Sequence, residues 1–267
     1  MRRALPLLLT TATLAAALTA CGPTTPNRGG GAAKPGAGST PVVKARSTTA
    51  AGSTTAAGST SAAGSTTAAG STTAAGPAFR GSIATGRDAV GSRVRYSWRR
   101  GCPVGPVELR LLRADYWGFD GRVHRGELIV HRDHARRILS VLKKLFQARY
   151  PIQRLRLVDA YRADDDRSMA ANNTSGFNCR RVSGSSSWSE HAFGRAIDLN
   201  PLRNPYVTRG GRVSPPAGRP YANRARRAAG MIHAGDGVVR AFAAAGWRWG
   251  GSWSGSRDYQ HFSSTGR

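Results

Sequence analysis

An α+β fold with one disulfide is predicted for the C-terminal part of this 267-residue chain, on three observations. Strand-like and helix-like segments are mixed there without the regular alternation that builds a parallel sheet. No acidic residue precedes Asp88 and no aromatic precedes Phe79, so the first 80 or so residues cannot supply a packed core. Roughly 170 residues remain, the size of a single domain. Of the three cysteines, Cys102 and Cys179 fall inside that domain and Cys21 far outside it.

The N-terminus sets the compartment. Arg2-Arg3 is followed by an apolar run from Leu5 to Ala17 and then by Leu18-Thr19-Ala20-Cys21. A short positive region, an apolar stretch short for a membrane span, and small residues at its end predict a secretory signal over residues 1–20. The Leu-x-Ala-Cys ending resembles the bacterial lipobox, which implies lipidation at Cys21 and anchoring by acyl chains rather than by a helix. The expected location is therefore extracytoplasmic, tethered to the cell membrane and facing the cell wall. In an exported chain, an even pair of cysteines favours a Cys102–Cys179 disulfide. Metal binding by this pair is the weaker alternative, because neither has a cysteine or histidine at ligand spacing.

Residues 21–80 consist largely of Gly, Ala, Ser, Thr and Pro, with the hexad Ala-Ala-Gly-Ser-Thr-Thr starting at Ala50, Ala56 (Ser61 in its last place), Ala62 and Ala68. A repeat this short, without large apolar residues, buries nothing and reads as a flexible linker. About 55 such residues have a root-mean-square span of roughly 40 Å.

The folded domain is placed at residues 96–267, opening near Tyr96-Ser97-Trp98. Val107 to Leu112 and Glu127 to His131 read as strands, with Gly118-Phe119-Asp120-Gly121 as the turn of a hairpin-like excursion. From Asp133 to Arg149, the residues Ile138, Leu139, Val141, Leu142, Leu145 and Phe146 share one face of an amphipathic helix that closes before Pro151. Leu155 to Tyr161 is strand-like, Ala196 to Asn200 is a short apolar strand, and Asp236 to Ala245 is a second helix before Trp247-Arg248-Trp249. Asp164-Asp165-Asp166 lacks the alternating oxygen spacing of a calcium loop and reads as a solvated helix start.

The chemistry concentrates in Ser189-Glu190-His191-Ala192-Phe193-Gly194-Arg195-Ala196-Ile197-Asp198 and in Asp258-Tyr259-Gln260-His261. A turn at Gly194 lets His191 and Asp198 converge. Two imidazoles and one carboxylate make a three-ligand set for zinc, leaving a position for water and a second carboxylate free to act as base. The pattern Ser-x-His-x-x-Gly-x-Ala-x-Asp, followed far downstream by acid-x-x-His, resembles the M15 family of zinc D-alanyl-D-alanine carboxypeptidases and related cell-wall endopeptidases, over about residues 98–264. The resemblance implies a small antiparallel central sheet flanked by helices, of the Hedgehog/DD-peptidase type. It further implies Zn2+ bound by His191, Asp198 and His261, with Asp258 as catalytic base. Asp stands where many members have Glu. For the substrate's carboxylate and carbonyl, the resemblance points to Arg180 and Ser168, with Arg162 of Tyr161-Arg162 as a rival.

The expected function is thus zinc-dependent hydrolysis of peptidoglycan stem peptides by a monomer, as a D,D-carboxypeptidase. The alternatives are an endopeptidase and a non-catalytic wall-binding module of the same fold. A serine peptidase is disfavoured, since no Gly-x-Ser-x-Gly elbow or Ser-x-x-Lys is present. His124, His131, His134 and His233 read as structural or solvated, Glu190 as either a support for the metal ligands or exposed, and Trp247 as core, while Gly250-Gly251 reads as a turn returning the last segment to the metal.

Charge adds a partner class. The chain has 40 Lys+Arg against 14 Asp+Glu, a formal +26, and lysine occurs only at positions 34, 44, 143 and 144. Arginine suits anion contacts, although a codon preference would produce the same bias. Residues 98–267 hold 30 basic and 13 acidic residues, so most of the excess belongs to the folded domain. With no nucleic-acid-binding motif, the excess reads as retention at an anionic cell surface.

Overall fold

The computed structural model describes residues 76–267; the signal, Cys21 and most of the linker lie outside the described residues. The chain enters through β1 (Gly81–Ala84) and α1 (Arg87–Gly91), then forms the hairpin β2 (Leu109–Trp117) and β3 (Val123–His131). These strands make an antiparallel sheet in the order β1–β2–β3. The turn closes where Gly118 N–H donates to the Arg122 carbonyl at 2.8 Å, with Gly121 at φ 70°.

Alternation along the hairpin buries both of its faces. Leu112, Ala114, Leu128 and Val130 face the main core with Ile138, Val141, Leu142 and Leu145 of α2 (Ala135–Gln147). Leu109, Leu111 and Ile129 face a second core with Val90, Val94, Val104, Phe177 and Cys179. This two-sided burial places Leu111 and Leu112 side by side in β2, one facing each core. The Cys102–Cys179 disulfide, present as predicted, closes the second core.

The remaining elements are short. β4 (Arg154–Leu155) pairs in parallel with β5 (Asn173–Thr174), and α3 (Asp165–Ala170) lies between them. β6 (Ala196–Asp198), β7 (Tyr206–Val207), β8 (Val213–Ser214), α4 (Gly237–Ala244), β9 (Arg248–Trp249), β10 (Arg257–Asp258) and β11 (His261–Ser263) complete the domain. They form two further antiparallel sheets, ordered β6–β11–β9 and β10–β7–β8. Phe242 of α4 stacks on Phe262 of β11 at 3.9 Å, fastening the first of these to the main core.

The α+β class is as predicted, whereas the single central sheet is replaced by several small ones. Order also begins before Tyr96: β1 pairs with β2, and the buried Asp115 accepts from the Arg80 backbone N–H at 3.1 Å and from the Arg80 and Arg125 guanidinia at 3.0 Å. Leu155 to Tyr161 is strand only at its first residue and ends in a 3-10 turn, Val158–Tyr161. The Asn173 side chain engages both the N–H and the carbonyl of Arg156, the groups a further strand partner would need. The three aspartates open α3 as expected, with the Asp164 carboxylate accepting from Arg167 N–H at 2.9 Å.

Candidate metal centre

Two devices bring the predicted residues together. In the β6–β11 ladder, Asp198 is the direct cross-strand partner of His261. His191 comes from a 3-10 turn, Glu190–Phe193, whose first turn is capped by the Ser189 hydroxyl accepting from His191 N–H at 3.3 Å. The turn ends at Gly194, in the left-handed region at φ 67°, where a Cβ would lie 2.6 Å from the His131 nitrogen. Only glycine fits both the conformation and the space, and this reversal sends the chain directly into β6.

Main-chain carbonyls set both imidazole tautomers. Nδ1 of His191 lies 2.7 Å from the Gly176 carbonyl, and Nε2 of His261 lies 2.8 Å from the Arg267 carbonyl. A carbonyl can only accept, so these nitrogens carry the protons and turn His191 Nε2 and His261 Nδ1 toward Asp198. His191 Nε2 is 3.1 Å from Asp198 Oδ2 but makes no hydrogen bond, and His261 Nδ1 is 3.1 Å from Oδ1. One ligand atom from each residue lies within 4.8 Å of the others, and all three residues are buried. Burial alone would raise the Asp198 pKa, yet the charges of His191 and His261 and the His261 hydrogen bond outweigh it and hold the carboxylate well below its usual range. Burial likewise opposes charge on His261, but the hydrogen bond and charge of Asp198 push it up to about 9. A proton held so tightly between a carboxylate and an imidazole marks a place where a metal cation can substitute. The donor set, with its orienting carbonyls, fits a zinc-like ion.

Asp258 arrives on a different sheet, paired with Tyr206 through β10 and β7. Its Oδ1 is enclosed and has no hydrogen-bond partner. Burial pushes the carboxyl up to about 7, with His261 pulling downward and Asp198 upward, so it shares the electrostatic environment of the three ligands. Gly250 makes this approach possible: a Cβ there would sit 2.7 Å from the Asp258 carbonyl and 3.3 Å from His261 Cβ. The glycine pair is thus a contact point as well as a turn.

The substrate-side residues separate. Arg180 is half-buried, pairs with Asp165 at 2.8 Å and keeps an unpartnered Nε. It is linked to the site through the main chain, because Ser189 N–H donates to the Arg180 carbonyl and Asn178 N–H to the His191 carbonyl, both at 3.1 Å. Ser168 of α3 is only 1% exposed and its hydroxyl accepts from the Asn173 side chain at 3.0 Å. Arg162 is exposed, in the left-handed region at φ 57° just after the 3-10 turn. Glu190 is half-buried with Oε2 enclosed and unpartnered. Trp247 is core, Trp249 donates to the Tyr259 carbonyl at 2.8 Å, and Trp253 packs 5.5 Å from the His261 ring. The orienting groups at Gly176 and Arg267 left no sequence signal, since a carbonyl belongs to every residue. Gln260, 3% exposed with Oε1 unpartnered, was legible only as a neighbour of His261.

An α+β domain with a buried His–Asp–His group that could hold a metal, and an enclosed acid beside it, has the makings of a metal-dependent hydrolase. Residues 183–264, which contain all four of these side chains, match the family model Peptidase_M15_4, described as D-alanyl-D-alanine carboxypeptidase, so this segment is similar to the M15 peptidases. No curated protein and no solved structure matches the chain.

Proposed function

We propose that this chain is a zinc metallopeptidase of the Hedgehog/DD-peptidase-like fold that removes the terminal D-alanine from peptidoglycan stem peptides. The observation that carries the reading is the enclosed, unpartnered Asp258 oxygen beside two imidazoles whose inward nitrogens, His191 Nε2 and His261 Nδ1, both face Asp198 at 3.1 Å. His191 Nε2, Asp198 and His261 Nδ1 would hold the zinc, which when bound would lower the pKa of a water toward about 7 and polarise the scissile carbonyl. Asp258 accepts the proton of the attacking water and returns it to the leaving amine. In this reading Arg180, whose Nε has no partner, holds the peptide carboxylate through charge-assisted hydrogen bonds.

In the same reading Cys21 carries the lipid anchor and the linker gives the domain its reach into the wall. The chain works as a monomer outside the cytoplasm, with no nucleic-acid partner. Metal analysis followed by mass spectrometry of digested muropeptides tests the proposal. One zinc per chain and loss of a single D-alanine are expected. Internal cleavage would make it an endopeptidase, and bound zinc with no released product would make it a binding module.

A further inference from the structure

We propose that Asp165 is a positioning residue that holds the Arg180 guanidinium for a substrate's terminal carboxylate and, with Asn178, ties it to the metal ligand His191. The inference rests on the peptidase reading and deepens it, because an arginine held in one place selects peptides that end in a free carboxylate.

The hold begins at the ion pair. Arg180 Nη2 lies 2.8 Å from Asp165 Oδ2, with the two side chains 31% and 24% exposed. Nη1 has only the Arg181 carbonyl, at 3.5 Å, the outer limit of a hydrogen bond. One corner of the guanidinium is thus committed to the protein while the side chain still reaches solvent. A partly exposed pair adds little to folding. What it does is confine a long, flexible side chain, and a confined guanidinium loses less freedom when a carboxylate arrives.

Asn178 extends the hold to the metal ligand. It is 3% exposed, its N–H donates to the His191 carbonyl at 3.1 Å, and its own carbonyl accepts from Arg180 N–H at 2.9 Å. Its side-chain amide donates, at 3.4 Å each, to the Ala163 carbonyl and to Asp165 Oδ1. One oxygen of Asp165 therefore faces Arg180 and the other faces the residue that docks on His191. Across from Asn178, Ser189 N–H closes on the Arg180 carbonyl at 3.1 Å. The chain reaches Asp165 through Arg162 and Ala163, two consecutive non-glycine residues in the left-handed region at φ 57° and 60°. Such a path is unfavourable in itself and persists where surrounding contacts fix it.

Asp165 also carries a charge that repels a substrate carboxylate, so holding and repelling predict opposite effects of removing it. Calorimetry of the full zinc-loaded chain carrying Asp258→Asn, which binds peptide without consuming it, separates the two. A peptide ending in D-Ala-D-Ala should bind more tightly than its C-terminal amide by about tenfold or more. Adding Asp165→Ala should remove most of that preference with metal stoichiometry unchanged, and Asp165→Glu should recover part of it. Asp165→Asn, of the same shape, carries the test where alanine does not fold. Asp165→Ala together with Arg180→Gln should be no worse than Arg180→Gln alone, because the aspartate acts through the arginine. A preference that survives or grows without the Asp165 carboxylate, or equal binding of acid and amide when it is present, would overturn the inference. D-alanine release by the wild type is scored separately, so its absence with the preference intact would sink the peptidase reading and leave the role of Asp165 standing.

Discussion

An enclosed carboxyl oxygen without a partner costs on the order of 1–3 kcal/mol, and Asp258 carries that cost beside the His–Asp–His group, which is what the proposed role as base would account for. Asp258→Asn keeps the volume and removes the base. Turnover should fall by about 10²–10⁴ while metal stoichiometry, read by elemental analysis, stays at the wild-type value. His191→Ala should lose metal and turnover together. The same carboxyl has a stability signature in chelated protein. Its folded pKa of about 7 lies above the ordinary 3.8, so the folded state binds the proton more tightly. The stability contributed is full below about pH 4 and is lost as pH rises through about 7. Urea titrations of chelated wild type and Asp258→Asn should therefore show the wild type losing ground to the variant between those limits. A constant difference would refute the burial assigned to this group.

Short elements do the positioning, and Gly194 is the most exacting of them. Alanine there meets a left-handed backbone and the His131 nitrogen at 2.6 Å. We expect Gly194→Ala to cost about 1–3 kcal/mol in chemical denaturation and to weaken metal binding, because the turn carrying His191 and the strand carrying Asp198 meet at this residue. Gly194, His191, Asp198 and the downstream acid and histidine were readable because their spacing is local chemistry written on two short segments. α2 was readable for a different reason, since its apolar residues recur at the helical period on one face. The division of the strands among several sheets was not readable: pairs as short as β10 with β7 are chosen by tertiary contacts rather than by residue preference. β1 escaped for the same reason, its Gly-Ser-Ile-Ala carrying little strand signal until Asp115 and Arg80 fix it against β2. The Arg180 and Ser168 assignments lay outside the recognised motif, and the sequence could not tell an arginine paired with Asp165 from a serine buried against Asn173.

At the scale of the whole molecule, the disulfide spans 77 residues and anchors Cys179 next to the Asn178 that holds the His191 backbone. Closing a loop of that length stabilises a fold by about 4 kcal/mol in the chain-entropy account. Reduction should lower the denaturation midpoint and loosen metal binding with it, as followed by urea unfolding with and without reductant. The folded domain's excess of arginine predicts retention on isolated anionic cell wall that weakens as salt shortens the Debye length, measurable by sedimentation at increasing ionic strength. One consequence concerns inheritance. The proton on His261 is fixed by the carbonyl of Arg267 and that on His191 by the carbonyl of Gly176. Position 267 can thus drift through every residue type while offering the same oxygen, so part of what tunes this centre is passed on as the path of the main chain, where counting substitutions would never register it.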